Sequence, residues 1–216
     1  MDKLLTAAEA ISKIPEGARI MIGGFGLRGC PDTLVDELVA SGKKDLTIIS
    51  NDLGSPGQGL GKLHSNGQIK SLVGSYYNWN PDAIASYNKG EISVTLVPQG
   101  TLAESMRAAG MGIPAYYTPT SVGTELEAGK EVREFNGKKY VLEEAIHADV
   151  ALIHAHKADK LGNLVYSKTA RNFNPVMAMA ADYTIAEVDE IVETGELNPE
   201  DIVTPHLFVN AIVKRG

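Results

Sequence analysis

Ala18-Arg19-Ile20-Met21-Ile22-Gly23-Gly24-Phe25-Gly26-Leu27-Arg28-Gly29-Cys30-Pro31 changes character twice within fourteen residues. Residues 18–22 are an apolar run rich in isoleucine, the pattern of a strand buried on both faces. Glycines then interrupt it. From Pro31 the apolar positions fall at helical intervals, with Leu34, Val35, Leu38 and Val39 on one face. Asp32 and Asp36 lie near the helix's positive end, and Gly42 stops it. A strand, a glycine loop and a helix in that order open an α/β fold.

The same reading extends outward. Upstream, Thr6 and Glu9 have capping-box spacing, Ala7, Ile11 and Ile14 follow at helical intervals, and Pro15 and Gly17 end the segment. Downstream, residues 46–50, 69–76 and 94–98 read as further buried strands. Strands alternating with helices predict an open, mainly parallel sheet with helices on both faces. Past Pro114 the texture becomes antiparallel: residues 131–135 and 138–142 flank Asn136-Gly137, the turn pair that supplies positive φ, which predicts a small hairpin insertion. Residues 150–154 and 183–188 return to the apolar strand pattern around an Ala/Met-rich helix over residues 175–181. A single domain spanning residues 1–216 is expected.

Composition narrows the function classes. A formal net charge of −7 sets the overall field against nucleic acid and anionic membranes, so neither is expected as a partner. A single cysteine, Cys30, makes no internal disulfide, and the N-terminal residues lack the apolar run of a signal peptide, so a cytoplasmic location is expected. His154 and His156 alternate along one strand face, but no third ligand has a fitting spacing, so no metal site is expected and the two read as solvent-facing or pocket-lining side chains.

The glycine loop lies between a strand and a helix start, where backbone N–H groups and the helix dipole receive a phosphate or carboxylate. Gly24, Gly26 and Gly29 also satisfy G-x-G-x-x-G, and Asp52 loosely meets the acidic position of a dinucleotide site. An NAD-dependent oxidoreductase and a phosphate-holding, isomerase-like module are therefore alternatives, as is a plain tight turn.

The run from Glu16 to Pro31 closely resembles the first signature of family I CoA transferases: an apolar triplet, then G-G-F-x-x-x-G-x-P. Glu16 departs from the Asp or Asn usual there, ahead of the strand and outside the loop. Ile49-Ser50-Asn51-Asp52, Pro98-Gln99-Gly100-Thr101-Leu102, Tyr117-Thr118-Pro119-Thr120, Gly162-Asn163-Leu164 and Ala170-Arg171-Asn172-Phe173-Asn174-Pro175 also match, so the resemblance covers nearly the whole chain. It is to the alpha subunit of acetate, acetoacetate and butyrate CoA transferases and, almost as closely, to the matching subunit of succinyl-CoA:3-oxoacid CoA transferases.

That resemblance implies covalent, ping-pong transfer of CoA through a glutamyl-CoA intermediate. It places the nucleophilic glutamate on a beta subunit, so no nucleophile is assigned in this chain. The expected assembly is an α/β dimer that pairs again to α2β2, and coenzyme A is a substrate, with no cofactor. It further implies that Gly23, Gly24, Phe25, Gly26, Leu27, Arg28 and Gly29 bind CoA. Asn51 and Gln99 become oxyanion or substrate candidates, because a tetrahedral oxyanion needs fixed neutral donors, with a side chain capping a local turn as the alternative for each. Trp79 with Tyr76, Tyr77 and Pro81 follows the third strand and reads either as an aromatic wall of the acyl pocket or as ordinary packing. Asn78-Trp79-Asn80-Pro81 resembles the short-chain type rather than the G-E-N stretch of succinyl-using relatives. Arg171, Asn172 and Asn174 suit either an anion site or, for Asn174, a helix cap.

Overall fold

The structure, a computed structural model, describes residues 3–216. The chain runs α1 (Ala7–Ser12), β1 (Arg19–Ile22), α2 (Asp32–Ser41), β2 (Leu46–Ile49), α3 (Gly61–Ser65), β3 (Ile69–Gly74), α4 (Pro81–Asn88), β4 (Ser93–Leu96) and α5 (Gln99–Gly110). It continues through β5 (Ala115–Thr118), β6 (Val132–Phe135), β7 (Lys138–Glu144), β8 (Ala148–Asp159), β9 (Leu164–Val165), α6 (Asn174–Met179), β10 (Ala181–Val192) and β11 (Ala211–Lys214). The main sheet has the order β11-β10-β8-β1-β2-β3-β4 with every neighbouring pair parallel, and β9 is added antiparallel to β8.

Alternation along each strand fills two apolar layers. Ile20, Ile22, Ile48 and Leu152 pack with Ile11 of α1 and Leu34, Val35 and Leu38 of α2. Met21, Ile49, Ala151 and Ile153 pack on the other face with Leu102 and Met106 of α5 and Met177 of α6. Each fully buried Ile, Leu or Met side chain contributes roughly 1.5–3 kcal/mol, so β1, buried on both faces, anchors both layers. The helix after the glycine loop ends where the sequence puts its stop, at Gly42 with φ 67°. Thr6 and Glu9 form the expected capping box on α1.

Strands β1 to β4 build outward in one direction, and the chain then returns to the opposite side of β1 to add β8, β10 and β11. The order thus reverses at β1, and open α/β sheets gather ligands beyond the strand ends at such a switch point. The loops after β1, β2, β3 and β4 all open at that edge.

The hairpin forms as expected, with Asn136 at φ 51° and Gly137 at φ 75° between β6 and β7. Its surroundings differ from the expectation, because β5 pairs with β7 to make a separate three-stranded antiparallel sheet. Strands β8 and β10 each run for twelve residues and stay in register as far as Asp159 and Val192. The apolar pattern stops short of that because His156, Lys157, Asp189 and Glu190 occupy the extensions, where the strands are only partly covered. Short β11, Ala-Ile-Val-Lys, becomes legible only through its partner β10.

Candidate active site

Strand β1 hands over to the loop at Gly23, whose N–H still bonds Leu152 O of β8 at 2.9 Å. Two loop glycines are required by close approach. A Cβ on Gly23 would lie 1.8 Å from Asn174 Oδ1, and one on Gly29 would lie 2.4 Å from Ala170 O. Between them, Phe25 and Arg28 exchange backbone hydrogen bonds of 3.0 and 3.1 Å, which folds Gly26 and Leu27 into a tight tip.

The loop is held from two sides. Asp52, just past β2, accepts from Gly26 N at 2.8 Å through Oδ2 and from Gly54 N at 2.9 Å through Oδ1. On the other side Asn172 Oδ1 accepts from Gly24 N at 3.2 Å, and Asn172 Nδ2 donates to Arg28 O at 2.9 Å. Asn174 Nδ2 donates to Gly29 O at 3.1 Å while its Oδ1 accepts from His154 N at 2.9 Å. Asn174 is therefore no helix cap: it is the first residue of α6, whose N-cap position is Phe173. The polar run around Arg171 serves to pin the loop, with Arg171 itself exposed.

The expected anion at the start of α2 comes from within the chain. Glu187 of β10 is fully buried, and its Oε2 accepts from Leu34 N at 3.0 Å. The N–H groups of Gly24, Phe25, Gly26 and Arg28 are likewise engaged with protein acceptors. What the loop presents outward is its tip, where the Phe25 and Leu27 side chains are 44% and 46% exposed.

Beside that tip opens a recess of about 450 Å³ lined by Phe25, Asn51, Ser75, Tyr76, Trp79 and Gln99. Asn51 and Gln99, expected from sequence as a pair of donors, meet there. Gln99 Nε2 donates to Asn51 Oδ1 at 2.8 Å, and Ser75 Oγ donates to the same oxygen at 2.7 Å. Asn51 Nδ2 spends one N–H on Asp52 Oδ2 at 2.7 Å. Each amide nitrogen thus keeps a second N–H beyond these bonds. Tyr76 and Trp79 stand edge to face, their ring centroids 5.3 Å apart. Tyr77, a candidate for the same wall, instead turns into the core, where burial raises its hydroxyl pKa far above the usual value.

Sequence reasoning passes over Ser75 and the bridging role of Asp52, which the glycine pattern presents only as a loose match to the acidic position of a dinucleotide site. Its carboxylate is taken up by the loop and by Asn51. Asp52's place directly after Asn51, at a parallel strand end facing a glycine loop, is the signal that could have found it. His154 is buried and His156 half-exposed, and both bond Asp189, at 3.0 and 3.2 Å. Among the described residues no group of three or more His, Cys, Asp and Glu side chains is arranged to hold a metal ion.

Comparison with known proteins gives this arrangement its family. A family profile described as "Coenzyme A transferase" matches residues 4–215. The chain is 52% identical to the corresponding subunit of the succinyl-CoA:3-ketoacid coenzyme A transferase of Helicobacter pylori, over 99% of this chain and 93% of that one. It is 46% identical to the alpha subunit of the acetate CoA-transferase of Escherichia coli K12, over 98% and 96% of the two chains. Its fold superposes with a TM-score of 0.86 on an acyl-CoA transferase of E. coli O157:H7 solved as a thioester complex with CoA; identity is 22%, and the match covers 99% of this chain and 49% of that one. A match along nearly the whole chain, with this recess beyond the ends of the parallel strands β1 to β4, places the protein in the coenzyme A transferase family as a chain of the alpha type.

Proposed function

We propose that this chain works with a beta subunit, in an α2β2 assembly, to move CoA between a short-chain acyl-CoA and a carboxylate such as acetate, acetoacetate or butyrate. The partner supplies a glutamate whose carboxylate oxygen attacks the thioester carbonyl. The C–S bond breaks, CoA leaves as a thiolate, and an acyl-glutamyl anhydride remains. The thiolate then attacks the glutamyl carbonyl of the anhydride and releases the acyl group as a carboxylate. The resulting glutamyl-CoA thioester is opened by the acceptor acid through the same steps in reverse.

One observation carries this reading: the Asn51 and Gln99 amides sit against each other at one end of an aromatic-walled recess, each with an N–H to spare. Each covalent step passes through an oxyanion, and two fixed neutral donors are what such an intermediate needs. The tip of residues 23–29 packs along the CoA arm through Phe25 and Leu27. Phe25, Leu27, Tyr76 and Trp79 are 40–52% exposed around the recess, an apolar rim suited to cover by the beta subunit. Among the described residues no helix is long and apolar enough to cross a membrane, and a cytoplasmic site of action fits the reading.

The test is co-expression with a beta chain, followed by borohydride or hydroxylamine trapping of a glutamyl thioester on the partner. Exchange should require both chains, and thioester turnover by this chain alone would overturn the reading. The 52% identity to a chain of a succinyl-CoA:3-ketoacid transferase favours one competing donor. Relative kcat/KM for acetyl-CoA, butyryl-CoA and succinyl-CoA decides between them, since one methylene changes discrimination by only about 1–3 kcal/mol.

A further inference from the structure

Helix α2 leaves the glycine loop without a cap of its own. Its N-cap residue, Pro31, offers no side-chain hydrogen bond, so the N–H groups of the first turn need acceptors from elsewhere. Glu187 of β10, 153 positions along the chain from Leu34, supplies one through the Leu34 N–H, and the Thr33 N–H also stabilises its charge. The carboxylate is fully buried and its Oε1 has no hydrogen-bond partner. Arg215 Nε lies 3.4 Å from that oxygen, while Arg215 Nη2 bonds Asp32 Oδ2 at 2.5 Å. One guanidinium therefore joins β10, the segment after β11 and the first residue of α2.

A buried carboxylate is expensive to keep for packing alone, and an apolar side chain of similar volume would fill the space without desolvating a charge. What a carboxylate adds here is negative charge against the positive end of a helix. That helix is the continuation of the loop.

We propose that Glu187 is a positioning residue for the loop of residues 23–29: by gripping the start of α2 it fixes the loop's exit, as Asp52, Asn172 and Asn174 fix its body, and so sets how tightly the loop holds CoA. This rests on the reading of the loop as CoA-binding. The charged and titratable groups around Glu187 are Asp32 on α2, Cys30 just before it, Arg215 after β11 and Asp189 farther along β10. His154 and His156 of β8 join through Asp189, His154 also through Arg215. Burial, the largest cause, raises the Glu187 carboxyl to about 7, so the grip changes within the ordinary assay range.

The experiment uses the enzyme co-expressed with its beta subunit, as wild type, Glu187→Gln and Glu187→Leu. It measures kcat and KM for acyl-CoA from about pH 6 to about pH 8.5, with amide hydrogen exchange over residues 24–34. In the wild type, KM should rise as pH falls through about 7. Glu187→Gln keeps an oxygen for Leu34 N but does not titrate, so its KM should change less with pH. The titration of CoA itself is common to both enzymes and cancels in their ratio. Glu187→Leu should raise KM about tenfold with kcat nearly unchanged, and should speed exchange across the loop. Parallel KM profiles for wild type and Glu187→Gln would overturn the proposal, even if Glu187→Leu fails to fold. Unaltered exchange in Glu187→Leu would overturn the positioning role and leave the CoA reading standing. Faster exchange with unchanged KM would remove both, because the loop would then be mobile without consequence for CoA.

Discussion

Asp52 Oδ2 accepts the Gly26 N–H at 2.8 Å, joining the end of β2 to the tip of the loop that follows β1. The same oxygen takes Asn51 Nδ2 at 2.7 Å. One carboxylate thus sets the position of the loop and the orientation of the Asn51 amide, which in turn receives Gln99. The two halves of the proposed site share a single anchor.

Asp52→Asn should expose that sharing. A carboxylate accepts from Gly26, Gly54 and Asn51 together, whereas a carboxamide turns an NH2 toward one of these donors and leaves a buried group unpaired, at about 1–3 kcal/mol. We expect kcat/KM in the reconstituted enzyme to fall by about ten- to a hundredfold, with kcat and KM both affected because amide and loop move together. An effect confined to KM would mean that Asp52 serves the loop and not Asn51.

Asn51 and Gln99 touch, so their contributions should not add. Asn51→Ala and Gln99→Ala are each expected to lower kcat by about a hundredfold, the order seen for loss of one oxyanion donor. The double variant should fall well short of the product, with a coupling of about 0.5–3 kcal/mol measurable by a double-mutant cycle. Strict additivity would show that the two amides act in separate steps.

Gly23 and Asn174 form a second coupled pair. The Cβ of Gly23→Ala would meet Asn174 Oδ1 at 1.8 Å, displacing the side chain that accepts from His154 N and donates to Gly29 O. Thermal or denaturant unfolding should show a loss of at least about 2 kcal/mol for Gly23→Ala. Asn174→Ala removes the obstructing amide, so adding Gly23→Ala to it should cost less than Gly23→Ala does in the wild type. Equal costs in both backgrounds would mean that the strain lies in the backbone.

Local chemistry explains what the sequence made legible. Residues 18–31 disclose a strand, a loop and a helix because each is coded by neighbours: isoleucines for burial on two faces, glycines for close approach, a helical period after Pro31. Asn136-Gly137 likewise encodes its own turn. Asn51 and Gln99 stood out through resemblance, and the parallel sheet then brings residues 48 apart into hydrogen-bond contact. Illegible in advance were the groups whose partners lie far along the chain. Nothing near Pro31 says that α2 is capped from β10, and nothing near Asn174 says that its amide is spent on Gly29 rather than on its own helix. The second halves of β8 and β10 were hidden for a related reason: their charged residues pair with one another, as Lys157 does with Glu190 at 2.7 Å, so the apolar period lapses while the backbone ladder continues.

Glu187 also gives the stability of the chain a defined pH dependence. Burial raises its folded-state pKa from 4.5 to about 7, so the folded protein binds this proton more tightly than the unfolded chain does. Stability from this group is full below about pH 4.5 and is lost progressively as pH rises to about 7, a change on the order of 3 kcal/mol. Denaturant unfolding of wild type and Glu187→Gln across that window should therefore converge on the acid side and diverge toward neutrality, with the wild type losing stability relative to the variant. A difference that stays constant with pH would show that the folded and unfolded chains bind this proton equally, so that burial does not raise the Glu187 carboxyl. The sign is opposite to that expected for the grip on the loop: the ionised form that holds Leu34 most firmly is the one that costs the fold most. A residue kept against its own stability cost is expected where geometry, rather than stability, is what the site requires.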